Sequence, residues 1–168
     1  TVRDATSNNV TAEAKDDSVV VAGQVNQGRR MDGDNDKIVS DDTISLGDNY
    51  TISAWVNFKT NNNTSFERVV SVDGRSGGNS TNRATITWDD DGDRYGYYSE
   101  GSGFASITGA NPPLDEFEYW AGVTDSDANT STFYENGSDV VSATGSNPLL
   151  KQRIGMGTRT DTTGDLVD

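Results

Sequence analysis

Y-T-I-S-A-W-V-N-F, residues 50 to 58, decides the fold. Side chains on an extended strand alternate between two faces. Tyr50, Ile52, Ala54, Val56 and Phe58 therefore share one side, and Thr51, Ser53, Trp55 and Asn57 the other. A strand with one apolar face is not stable alone; it needs flanking strands and a second layer to cover it. Working outward, short runs of the same kind recur at intervals of about 10 to 15 residues. They are Ser18–Ala22, Lys37–Val39, Arg68–Val72, Ala84–Trp88, Tyr95–Tyr98, Phe104–Ile107, Tyr119–Thr124, Thr132–Glu135 and Arg153–Gly157. Thr60–Ser65 and Ser76–Asn82, rich in Asn, Ser and Thr or Gly, read as loops. Asn136-Gly137 between Thr132–Glu135 and Val140-Val141 predicts a hairpin, because both turn positions require positive φ. No stretch carries a helical period. The pattern predicts an all-β chain, an antiparallel β-sandwich forming a single domain over residues 1–168.

The charge balance narrows the function classes. Against 13 Lys and Arg stand 27 Asp and Glu, a net charge of −14. Such a surface repels nucleic acid and anionic lipid, so no nucleic-acid partner is expected. No apolar run reaches the roughly 18 residues of a membrane span, so no membrane insertion is expected within this segment. Lys occurs only at positions 15, 37, 59 and 151. Asp-rich, Lys-poor surfaces fit a high-salt habitat, where a Debye length of about 3 Å mutes self-repulsion; an ordinary acidic secreted domain with calcium sites is the alternative. The chain begins at Thr1 without a methionine, which reads as a piece of something larger. Asn9, Asn49, Asn62, Asn63, Asn79, Asn129 and Asn136 each open an Asn-x-Ser/Thr triplet, more than the roughly three expected by chance. They point to a glycosylated protein of the extracellular space, cell surface or virion surface.

In order, M-D-G-D-N-D-K-I-V, Y-T-I-S-A-W-V-N-F, Y-W-A-G-V-T-D, F-Y-E-N-G-S-D-V-V, R-I-G-M-G and G-D-L-V-D resemble the laminin G-like and pentraxin-like branch of the concanavalin A-like lectin/glucanase superfamily. The resemblance spans nearly the whole chain. It implies a jelly roll of two antiparallel sheets, found mostly as a binding or adhesion module of secreted or cell-surface proteins. Two departures stand out. Val167 occupies the place of the acidic residue in the family's closing pattern, with Asp168 after it, and the chain ends where the family continues into one more strand. Either the closing strand is missing or another segment supplies it, and the second case would give a route to self-assembly.

The chemistry the residues allow is narrow. There is no His and no Cys, hence no imidazole base, no Ser-His-Asp triad, no thiolate nucleophile and no disulfide. Glu116 and Glu118, two apart, are the best carboxylate pair, at roughly 6 to 7 Å on one strand face, but they lack the spacing of the fold's glucanases. No catalytic residue is assigned. Calcium is the candidate cofactor: Asp89, Asp91 and Asp93 around Gly92 offer hard oxygen ligands, and Asp32, Asp34 and Asp36 form a second set. A sugar needs an exposed aromatic platform with oriented polar groups; Trp88, Tyr95, Tyr97 and Tyr98 around the acidic turn are the candidates, although half of them must point inward on a strand. The leading expectation is a non-catalytic, lectin-like module recognising a glycan or a surface protein. The alternatives are a structural domain of a surface filament, surface layer or virion, and a glycosidase of the same fold.

Overall fold

The alternation of the central strand is realised in space: Tyr50, Ile52 and Val56 are buried while Thr51, Ser53 and Trp55 face solvent. The structure is a computed structural model, and it describes residues 2–3, 11–15, 18–31, 36–41, 43–59, 66–76, 79–89, 93–146 and 153–157. These residues form fourteen strands: β1 (Val2–Arg3), β2 (Thr11–Lys15), β3 (Val19–Ala22), β4 (Gln27–Arg30), β5 (Lys37–Ser40), β6 (Tyr50–Val56), β7 (Phe66–Ser76), β8 (Asn79–Asp89), β9 (Arg94–Ser99), β10 (Gly103–Thr108), β11 (Glu118–Asp125), β12 (Thr130–Glu135), β13 (Ser138–Thr144) and β14 (Arg153–Met156). Eight join in the order β1-β2-β5-β14-β7-β8-β9-β10, and four in the order β13-β12-β11-β6. All strand pairings within the two sheets are antiparallel. The two sheets pack face to face as the sandwich that period-two patterning predicts.

Rings fill the space between the sheets. Tyr95 stacks on Trp120 with centroids 5.0 Å apart, while Phe133 and Phe58 meet Trp120 at 5.6 and 5.3 Å; Phe58 also meets Trp88 edge-on at 5.2 Å. Each such pair contributes about 0.5–1.5 kcal/mol beyond its buried area. Several polar atoms drawn into this core are matched to partners, while the buried Trp88 Nε1–H has none among the described residues. Trp120 donates its Nε1–H to Glu118 at 3.0 Å, the Tyr95 hydroxyl donates to Glu135 at 3.0 Å, and the Tyr97 hydroxyl meets that of Thr124 at 2.8 Å. Gly122 on β11 faces Tyr97 across the sandwich, and a Cβ there would run into the ring. The absent side chain sets how closely the sheets approach at this point.

Local signals place the connections. Asn136 and Gly137, at φ 50° and 82°, form the expected two-residue hairpin loop, with Glu135 opposite Ser138. Three expectations are corrected. The 76–82 loop is shorter, because β7 continues to Ser76 and β8 starts at Asn79. The valines of β3, read as the first core run, pair only with β4 among the described residues, and Val19 and Val20 are exposed. Glu116 precedes β11 and is exposed whereas Glu118 is buried beside Trp120, so the two carboxylates do not share a face.

Candidate glycan-binding faces

The outward side of the eight-stranded sheet is built from β7, β8, β9 and β10 by register. Ser71 lies opposite Thr85 and Thr85 opposite Tyr98, which in turn lies opposite Phe104; Asp73 lies opposite Arg83, and Asp89 opposite Arg94. Short hydroxyl side chains make the floor: Ser71, Thr85 and Thr87 are buried, with Ser71 Oγ 3.3 Å from Thr85 Oγ1 and Thr85 Oγ1 donating to the Val70 carbonyl at 3.0 Å. Beside this floor runs a row of planar groups, two rings flanked by two guanidiniums. The Arg83 guanidinium lies 4.7 Å from the centroid of Tyr98, Tyr98 meets Phe104 edge-on at 6.1 Å, and the Arg94 guanidinium lies 4.5 Å from the centroid of Phe104. Gly96, between Arg94 and Tyr98 on the same face of β9, has no side chain to obstruct the long reach of Arg94.

Two carboxylates hold members of the row, Asp89 at the Arg94 end and Glu100 at Tyr98. Arg94 donates from both Nε and a terminal nitrogen to Asp89 Oδ2 at 2.8 Å, and Asp89 is buried. The Tyr98 hydroxyl donates to Glu100 at 3.2 Å. A guanidinium packed over a ring has fewer orientations open to it, which lowers the ordering cost of gripping a carboxylate or a pair of hydroxyls. The chemistry on offer is oriented hydrogen bonding beside aromatic surface.

The residues singled out from the sequence divide. Trp88, Tyr95 and Tyr97 are a correction: each is buried between the sheets, so none forms an exposed platform. Their parity with Ala84 and Ile86, or across strands with Ala105, turns them inward. Tyr98 alone of the four faces outward, partly exposed. Asp89 gives its carboxylate to Arg94, Asp93 is an exposed turn residue at φ 45°, and Asp91 lies outside the described residues. Asp36 is buried just before β5, and Asp32 and Asp34 lie outside the described residues. Among the described residues, no three acidic side chains are grouped to hold a metal ion. Asn49, Asn129 and Asn136 are exposed and Asn79 opens β8, while Asn9, Asn62 and Asn63 lie outside the described residues.

A family model for the concanavalin A-like lectin/glucanases superfamily matches residues 32–165. The chain belongs to this superfamily. Among solved structures with the superfamily's sandwich, domain 4 of AbnA, an extracellular GH43 arabinanase of Geobacillus stearothermophilus in complex with arabinotriose, superposes with a TM-score of 0.67 at 16% identity, over 92% of this chain and 77% of that one. The binding domain of Paraclostridial Mosquitocidal Protein 1 also gives 0.67, at 14% identity, over 99% of this chain and 44% of that one. Carbohydrate-binding module CBM66 of Bacillus subtilis gives 0.51 at 14% identity, over 87% of both chains. At these identities the likeness shows the fold. A search of curated protein sequences finds no match.

On this lectin/glucanase-type sandwich the sequence reading missed Arg83, Arg94 and Phe104. A signal was present: Arg94 and Tyr98 share a parity on β9, and Arg83, Thr85 and Thr87 share one on β8. It also missed a second aromatic pair on the opposite side of the superfamily fold, Trp55 of β6 with Tyr119 of β11, centroids 5.3 Å apart. Trp55 was out of phase with its apolar neighbours in the first strand read.

Proposed function

We propose that this domain is a non-catalytic glycan-binding module, engaging sugar through the outward face of its larger sheet. The observation that carries the reading is the row Arg83, Tyr98, Phe104 and Arg94 laid beside a hydroxyl floor. Pyranose and furanose rings offer C–H surface to aromatic groups and hydroxyl pairs to planar donors, and this face supplies both. Its placement on a superfamily fold shared with a carbohydrate-binding module adds support.

On this face the non-catalytic reading is supported by the distance between its buried carboxylates, Asp73 and Asp89. Asp73 lies opposite Arg83, and Asp89 is six residues further along β8. That separates the two by about 20 Å at the strand rise, against about 5 to 10 Å for hydrolytic pairs. An extracellular, high-salt setting belongs to the same proposal and rests on the net charge of −14 and the four lysines. Calcium bound at Asp89, Asp91 and Asp93, or at Asp32, Asp34 and Asp36, belongs to the same proposal.

The test is isothermal titration with arabino-, fructo-, xylo- and uronate oligosaccharides, each with and without chelator, for the wild type, Tyr98→Ala and Arg83→Ala. Loss of a stacked ring or a charge-assisted donor is worth about 1.5–3 kcal/mol, roughly a tenfold or greater loss of affinity. A ligand bound equally well by the wild type and both variants overturns the assignment to this face. Shortening of any oligosaccharide during the titration overturns the non-catalytic reading, and affinity unchanged by chelator removes calcium from it.

A further inference from the structure

We infer that the outward face of the four-stranded sheet is a second, independent docking surface, and that it takes a neutral, flat-faced oligosaccharide stacked on Trp55 and Tyr119. Trp55 is 45% exposed although the other two tryptophans, Trp88 and Trp120, are 1% and 0% exposed. Indole is among the most costly side chains to leave in water, so a solvent-facing Trp beside a second ring marks a contact surface. Trp55 and Tyr119 stand directly opposite in the β6–β11 register, with ring planes tilted by 52°. Along the same face follow Ser53 opposite Ala121, with Tyr134 beyond it, and then Thr51 opposite Val123, with Thr132 beyond. Thr132 Oγ1 and Ser142 Oγ are 2.8 Å apart.

A second feature adjoins this face at the far end of β6. Four residues along the strand from Trp55, about 13 Å at the strand rise, an open depression of about 460 Å³ is lined by Thr51, Val123 and Asp125 of the outward face together with Asn49, Asp127 and the inward-facing Tyr50 and Thr124. Its polar groups are held in place. Asn49 donates its Nδ2–H to Asp127 at 3.3 Å and accepts from the Ser126 N–H at 2.7 Å, and Asp125 accepts from the Ala128 N–H at 3.0 Å. The rings at one end and the carboxylates at the other suit a chain of about three sugar units: C–H faces on the aromatic pair, hydroxyls donating to Asp125 and Asp127.

Charge selects the occupant. The four strands of this sheet contain no Lys and no Arg, while Asp125, Asp127 and Asp139 border the face. Anionic glycans and lipid surfaces are therefore disfavoured, and so is a second copy of a chain that carries −14. A neutral glycan matches what the face offers, rings for its C–H surface and carboxylates that accept from its hydroxyls. It differs from the ligand of the arginine-bearing face on the other sheet, so either surface can be correct without the other.

Trp55 supplies its own reporter, because acrylamide quenching of tryptophan emission reads the single exposed indole. The probes are xylohexaose, cellohexaose, mannohexaose and arabinohexaose as neutral chains and hexagalacturonate as the acidic one. At least one neutral chain is expected to shield Trp55 from acrylamide and to bind at least tenfold more weakly to Trp55→Ala, with partial retention in Trp55→Phe. Asp127→Asn, which keeps the volume of the depression, is expected to weaken the same ligand severalfold while Trp55 stays quenchable in the free protein. The inference is overturned if no neutral chain shields Trp55. It is overturned equally if hexagalacturonate shields Trp55 as well as the neutral chains do, or if sedimentation shows shielding that depends on protein concentration without sugar. Binding lost in Tyr98→Ala but untouched in Trp55→Ala overturns this surface and leaves the first standing.

Discussion

Replacing Gly122 with alanine adds one methyl group to β11 and is expected to destabilise the domain, against the ordinary trend. In a strand, alanine is favoured over glycine by about 0.5–1 kcal/mol. Here the new Cβ would fall inside the ring of Tyr97, which is fully buried and held by a 2.8 Å contact between its hydroxyl and Thr124. Overpacking of this kind costs about 1–3 kcal/mol, and displacing the ring stretches a buried hydrogen bond worth about 0.5–1.5 kcal/mol. The net expectation is a loss of about 1–3 kcal/mol. For a domain of this length each kcal/mol moves Tm by about 2–4 °C, so thermal melting followed by circular dichroism should show a fall of roughly 3–10 °C. The cause is isolated by a double-mutant cycle. In a Tyr97→Leu background the ring is gone, and Gly122→Ala should then be neutral or stabilising. A variant that melts at or above the wild type, or an equal loss in both backgrounds, would refute the close approach of β9 and β11.

Two further outcomes are expected. Burial raises the Glu118 carboxyl above the usual range, and the charge of Glu135 adds to this, while the Trp120 and Asn136 donors act the other way. Between the ordinary carboxylate value and the raised one, the folded state binds more protons than the unfolded state, so stability falls as pH rises through that window. Glu118→Gln should remove this slope, melting at or above the wild type at pH 7 and converging with it near pH 4; a parallel pH profile for the two proteins would contradict the burial of this group. The second concerns salt. Raising KCl from about 0.1 M to about 2 M shortens the Debye length from about 10 Å to below about 3 Å and should raise Tm by several degrees through relief of self-repulsion. A flat or falling Tm would remove the support for a high-salt setting.

Much of this architecture was written in short-range pattern. The sheet-forming runs, the Asn136-Gly137 hairpin and the inward set Tyr50, Ile52 and Val56 follow from period two and from which residues tolerate positive φ. The same rule turns Trp88 inward, since Ala84, Ile86 and Trp88 share a parity, although an acidic turn follows it. The exposed valines of β3 were beyond local reading, because Val19–Ala22 has the composition of a core strand but pairs only with β4 among the described residues. The spacing of Glu116 and Glu118 predicts a shared strand face, yet the Glu118 carboxylate enters the interior, where Trp120 Nε1–H donates to it.

The sequence by itself determined that the chain would build sheets, that it would have two covered apolar faces, and that neither imidazole nor thiol chemistry would be available to it. Alternation is a property of neighbouring residues, and so it survives in one dimension. The tertiary structure alone decided which rings meet. Trp55 and Tyr119 are 64 residues apart and are joined only by the β6–β11 register; Arg83, Tyr98, Phe104 and Arg94 come together only because β8, β9 and β10 are hydrogen-bonded in order. Binding surfaces on a sheet run across strands, perpendicular to the chain, so the groups that compose them are set by pairing and register, which no local run of residues encodes.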